Sequence, residues 1–260
     1  MLIRLILNTL NPKFAIMKTL IVSILAFLFA SSSDSDLFNN KTDAFTGAWE
    51  TTYKEGDREV RAVAILSGGY ISAAAYYTDD NAFFYTMGGS YKVVGNQVTQ
   101  VYEFSTIDPA KVGQTEVSEF SIKGNELTFV GDARVWKRID NGTGGDLANA
   151  FLITGRKRDG EISRSTPGAR KTMKILSGTR FQWIAYNVDN GQFSGTGGGT
   201  YTTVNGKYVE NIEFFSRDVT RVGASLSFDY EVKDGEWHHS GLSSKGDPIY
   251  EIWTPRAMLK

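Results

Sequence analysis

The chain holds two histidines, and they are neighbours, His238 and His239. Adjacent residues of a strand point to opposite faces, so one strand cannot aim both rings at a single metal ion. The question is which ring faces inward. Asp234-Gly235 has the chemistry of a two-residue hairpin turn. It pairs Val232 with Trp237, Glu231 with His238, and Tyr230 with His239. The stretch 224–233 alternates strictly, with Leu226, Phe228, Tyr230 and Val232 on one face and polar residues on the other. Trp237, His239 and Tyr230 are therefore expected inside, and His238 outside beside Glu231. An inward imidazole next to a phenol can do acid–base work, or can be a packed interior residue. Asn205-Gly206 makes a second such hairpin and sets Tyr201 opposite Glu210, on the face of Tyr208, Ile212 and Phe214. An inward carboxylate must be paired or hydrogen-bonded, or its pKa rises.

The elements that position these groups repeat. Displaced by 110 residues, positions 65–127 match 175–237 at 20 of 63 places without a gap. Ile65-Leu66-Ser67-Gly68 returns as Ile175-Leu176-Ser177-Gly178, and Gly88-Gly89-Ser90-Tyr91 returns as Gly198-Gly199-Thr200-Tyr201. So long a period means two domain-sized units. We place repeat 1 at 45–138, a linker at 139–147 and repeat 2 at 148–256. Turn signals divide each copy into about eight short strands, and helical periodicity is nearly absent. The expected fold is all-β, with two tandem antiparallel barrels. Copy two carries the larger polar groups: His239, Trp183, Arg180 and Arg217 stand where copy one has Phe129, Ala73, Tyr70 and Ile107. A chemical site belongs in copy two.

Several functions are disfavoured. There is no cysteine, which excludes disulfides and thiolate chemistry. Net charge is −1 overall, and no basic stripe suited to nucleic acid is visible. The cluster Arg156-Lys157-Arg158 reads as a solvated loop. Gly195-Thr-Gly-Gly-Gly-Thr-Tyr201 leads into a strand, so it lacks the helix N-terminus of a phosphate loop. No metal site and no organic cofactor is expected. Residues 1–33 read as a signal peptide, with Met17 an alternative start, a basic Lys18, an apolar run to Ala30 and small residues after it. The expected location is secreted or periplasmic, with no membrane span after the signal is removed.

Gly47-Ala48-Trp49 ahead of a barrel resembles the opening of lipocalin-like (calycin) domains, where the Trp closes the barrel bottom. Copy two has Ala150-Phe151 there and departs from the pattern. Residues 150–256 resemble secreted bacterial proteins of this fold through Lys174–Gly178, Gly195–Tyr201, Glu213–Arg217 and Trp237–Ser240. Some such proteins accompany polysaccharide degradation. The resemblance implies a ligand that is an oligosaccharide or other small molecule. One implied activity is dehydration of uronate-containing, ulvan-type fragments by β-elimination. In that reading Arg180 binds the carboxylate, His239 is the base, Tyr230 or Tyr201 the acid, and Glu210 orients a hydroxyl. Trp183 and Trp237 stack on sugar rings. The alternative is a non-catalytic binding protein for a small apolar or glycan ligand.

Overall fold

The computed structural model describes residues 44–243 and 246–259, so the expected signal segment lies outside the described residues. The first eight strands are β1 (Gly47–Glu55), β2 (Arg58–Ser67), β3 (Tyr70–Tyr77), β4 (Phe83–Val94), β5 (Gln97–Ser105), β6 (Thr115–Lys123), β7 (Glu126–Phe129) and β8 (Val135–Asp140). They pair antiparallel in chain order, and β8 returns to β1 to close a barrel. The rest are β9 (Ala150–Arg158), β10 (Glu161–Arg164), β11 (Arg170–Leu176), β12 (Arg180–Asn187), β13 (Phe193–Val204), β14 (Lys207–Phe215), β15 (Ser225–Lys233), β16 (Glu236–Leu242) and β17 (Pro248–Pro255). Pairing of β17 with β9 closes a second eight-stranded barrel, and β10 stands outside the ring, paired with β9 alone. Closure leaves neither ring an open edge. Among the described residues no helix is long and apolar enough to cross a membrane.

The displacement of 110 is visible in the strands themselves. Bulges between Ala75 and Tyr76 and between Gly88 and Gly89 recur between Ala185 and Tyr186 and between Gly198 and Gly199. The Gly-rich stretch lies in strand β13, where the neighbouring backbone comes close: a Cβ on Gly198 would lie 2.6 Å from the Phe181 carbonyl oxygen. The register then changes at the first hairpin. Trp49 faces Ala64, while Phe151 faces Lys174. One member of each pair keeps the displacement of 110, and the other has only 102. Copy two thus carries eight additional residues between its first two ring strands, and they form β10 and the connection to β11.

Trp49 is fully buried, donates from Nε1 to the Phe45 carbonyl at 3.1 Å, and lies under the Arg138 guanidinium at 3.9 Å. It belongs to the apolar core of the first barrel. The joining segment 139–147 is tied down. Asp140 accepts from Ser177 Oγ at 2.8 Å and from Thr179 Oγ1 at 2.6 Å, Asp146 accepts from Tyr230, and Leu147 is fully buried in the second core.

The barrels meet along a buried seam with approximate two-fold symmetry. Tyr76 Oη donates to Glu213 at 3.0 Å, and the equivalent Tyr186 Oη donates to Glu103 at 2.5 Å. Tyr76 stacks on Phe214 as Tyr186 packs on Phe104. Phe83 stacks on its own repeat partner Phe193 at 5.9 Å. At the centre Gln182 accepts from its repeat partner Ser72 at 2.6 Å and donates to Thr86 at 2.9 Å and Thr196 at 3.0 Å, themselves a repeat pair. Ile65, Phe104, Met173, Ile175 and Ile184 enclose this network in apolar surface. Gln182 is 2% exposed, so removing it takes the acceptor from the buried Ser72 hydroxyl and a donor from Thr86 and Thr196, which keep their bonds to the Ala73 and Trp183 carbonyls. Gln182→Ala should lower the unfolding free energy in urea by about 2–4 kcal/mol. A loss under about 0.5 kcal/mol would mean that the seam does not rest on this network.

Candidate functional site

Both hairpin registers are as the turn residues dictate: Tyr230 faces His239, Val232 faces Trp237, and Tyr201 faces Glu210. His239 is 2% exposed and Trp237 fully buried, both inside the second barrel. One detail differs from expectation. Val232 is exposed, because it sits at the hairpin tip beyond the packed interior. His238 lies beside Glu231 in register, as expected, and its Nδ1 meets Tyr250 Oη on β17 at 2.7 Å.

The interior is more ionic than His239 and Glu210 alone suggest. Lys174 on β11 reaches across to Glu210 on β14 at 2.7 Å, with both side chains 6% exposed. Tyr208 Oη donates to the same Glu210 oxygen at 2.8 Å. Burial and the adjacent Glu210 carboxylate push the Tyr208 phenol far above its ordinary value. The Lys174 ammonium also lies 4.9–5.3 Å from the ring centres of Tyr208, Trp237 and Trp253, a cation–π surround. His239 packs against Phe228 at 4.2 Å, and neither ring nitrogen makes a hydrogen bond. Its Nδ1 is 3.5 Å from Glu251 Oε2 on β17, and Trp253 Nε1 donates to that oxygen at 3.2 Å. Burial and then the Lys174 charge hold the imidazole below its usual pKa, against the pull of Glu251. Burial pushes the Glu251 carboxyl up, but contact with His239 and the charges of Lys174 and Arg156 outweigh it and hold it low.

The expected residues divide. Glu210, Trp237 and His239 share one interior with Tyr208. Tyr201 is 3% exposed, packs on Tyr208 and donates to the Ser177 carbonyl at 2.5 Å. Tyr230 lies beside His239 in register, yet its hydroxyl donates to Asp146 at 3.0 Å. Trp183 packs against Phe215. Arg180 is elsewhere: it lies at the seam and donates to Glu213 at 2.6 Å, in a cluster completed by Arg61 and Tyr76. Each acid, base and cation of the expected set thus has a structural partner or is sealed from solvent.

The open feature of the second barrel is the cleft made by the eight-residue insertion. The ring contact of β11 with β9 covers only Ala150–Leu152, after which β9 pairs with β10 and leaves a gap. This cleft, of about 560 Å³, is lined by Arg156, Arg158, Arg170 and Lys171 together with Ser163, Ser165, Thr166 and Thr172, and by no acid. Arg164 holds its outer wall in place through Glu236, at 2.6 and 3.0 Å. Arg158 and Arg170 are exposed and form no ion pair among the described residues. Arg156 is the link to the interior, with Nε 3.7 Å from Glu251 Oε1. The sequence Arg156-Lys157-Arg158 is therefore strand with two cleft-lining arginines, and the reading as a solvated loop is corrected. The signal that marks it is the change of repeat displacement from 110 to 102.

No family model matches the chain, and no curated protein matches it. Among solved structures, an uncharacterized protein of Saccharomyces cerevisiae aligns at 11% identity over 79% of this chain and 97% of its own, with a TM-score of 0.39. A likeness that low carries no argument about function.

The buried pair makes a direct prediction. Copy one has Ala64 and Gln100 where copy two has Lys174 and Glu210. Lys174→Met leaves Glu210 without its counter-charge and should cost about 3–5 kcal/mol, whereas Lys174→Met with Glu210→Gln should recover most of it. Denaturant titration of the single and double variants reads this. Additive losses would show that the two side chains do not act as a pair.

Proposed function

We propose that this protein binds an anionic oligosaccharide, bearing uronate or sulfate groups, in the cleft beside β10, without transforming it. The observation that carries the reading is the acid-free cleft with Arg156, Arg158, Arg170 and Lys171 along it. Guanidinium groups bind carboxylate and sulfate bidentately, and the serine and threonine hydroxyls of the same walls suit a hydroxylated ligand. The resemblance to exported proteins of polysaccharide degradation points to the same ligand class, and an exported location goes with it. Binding is favoured over elimination because a substrate C–H must come within about 3 Å of its base. His239 is 2% exposed and Arg180 is held by Glu213.

The test is calorimetry with trigalacturonate and with maltotriose as a neutral control. Trigalacturonate should bind and weaken with added salt, and maltotriose should not bind. Arg156→Ala with Arg170→Ala removes two charge-assisted contacts and should weaken binding by about 100-fold or more. Equal binding of both sugars, or an unchanged affinity in the double variant, would refute the reading.

A further inference from the structure

Arg156 belongs to the cleft and to the interior at once. Its side chain is 46% exposed, and its Nε faces a Glu251 carboxylate whose own side chain is 19% exposed. Glu251 lies between the cleft-lining Arg156 and His239 of the interior. Behind it stands His239, 2% exposed, with two ring nitrogens that make no hydrogen bond. Its Nδ1 lies 3.5 Å from the Glu251 carboxylate and its Nε2 is buried without a hydrogen bond, so the pair can take up a proton within hydrogen-bonding reach of both groups.

The charges around the pair are few. Arg156 approaches from β9 and Lys174 from β11, Tyr208 and Glu210 face it from β14, and Tyr230 stands opposite on β15. Lys174 is committed to Glu210 at 2.7 Å. The positive charge that can move is Arg156. An anion in the cleft draws its guanidinium outward, and Glu251 then keeps a buried negative charge with less compensation. A proton from solvent restores the balance.

Resting on the cleft as the binding site, we propose that occupation by an anionic ligand is coupled to uptake of a proton by the Glu251–His239 pair, relayed by Arg156. Linkage is reciprocal, so protonation must strengthen binding. The sign follows from the free protein, in which both groups titrate below their ordinary values. Ligand raises the pKa of the pair, so affinity grows as pH falls through the range that opens between the free and bound values. The coupling would make the second barrel a pH-responsive anion binder. The first barrel has Phe129 and Arg134 at the two corresponding places and lacks the pair.

The experiment is titration of the full chain with trigalacturonate at pH 6 in two buffers of different ionisation enthalpy. The measured enthalpies should differ by the amount that corresponds to uptake of part of one proton. Glu251→Gln should keep binding and abolish the difference. His239→Phe, the residue that copy one uses at this place, should reduce it and tests the same point should Glu251→Gln fail to fold. Binding with equal enthalpies in both buffers would overturn the coupling and leave the cleft as the site. No binding of trigalacturonate, alongside intact folding, would overturn the cleft reading and the coupling together.

Discussion

The seam between the barrels rests on a constraint of symmetry. Several of its contacts are made by a residue and its own repeat partner, or by a pair of contacts that exchange partners across an approximate two-fold axis. Such an isologous arrangement is how identical subunits associate. Here it lies within one chain, and the chain can therefore specialise its halves. Gln182 against Ser72 is the clearest sign, since one copy presents an amide where the other presents a hydroxyl. Arg180 and Arg256 show the same specialisation: each serves one of the two equivalent Tyr–Glu pairs, from different places in the sequence.

Specialisation has gone furthest in the second barrel. Its interior holds Lys174, Glu210, His239 and Glu251, where the first holds Ala64, Gln100, Phe129 and Arg134. A buried ion pair is a weak source of stability and a strong source of constraint. Lys174 bound to Glu210 ties β11 to β14 across the barrel, and β11 also supplies Arg170, Lys171 and Thr172 to the cleft. The insertion supplies the outer wall, held by Arg164 on Glu236. The binding surface is thereby built on ring strands and carries its basic groups on the part that departs from the ring. The same geometry separates the cleft from His239 by one carboxylate, Glu251.

Much of the fold was legible. Two turns, Asp234-Gly235 and Asn205-Gly206, set the registers that point His239 and Glu210 inward, because turn type fixes pairing and pairing fixes faces. The repeat gave two barrels of eight strands. Lys174 was missed because its partner lies across the barrel, a relation that no local spacing encodes. Contrast with Ala64 and Gln100 marks both residues, as it marked His239. Arg180 was assigned to the ligand because only the seam, a tertiary feature, shows what it binds. The cleft was legible in principle: Ala150-Phe151 was set against Ala48-Trp49, and the shortened displacement there is the insertion itself.

The central claim is that ligand enters beside β10 and not at a barrel core. The most direct measurement is two-dimensional amide NMR of the full chain as trigalacturonate is added. The account predicts shifts concentrated in residues 153–172, with smaller ones at Glu251 and His239 and none at the first mouth, a small pocket of the first barrel lined by Gln100, Glu116 and Phe129. Shifts centred on that first mouth, or on the seam around Arg180 and Glu213, would contradict it.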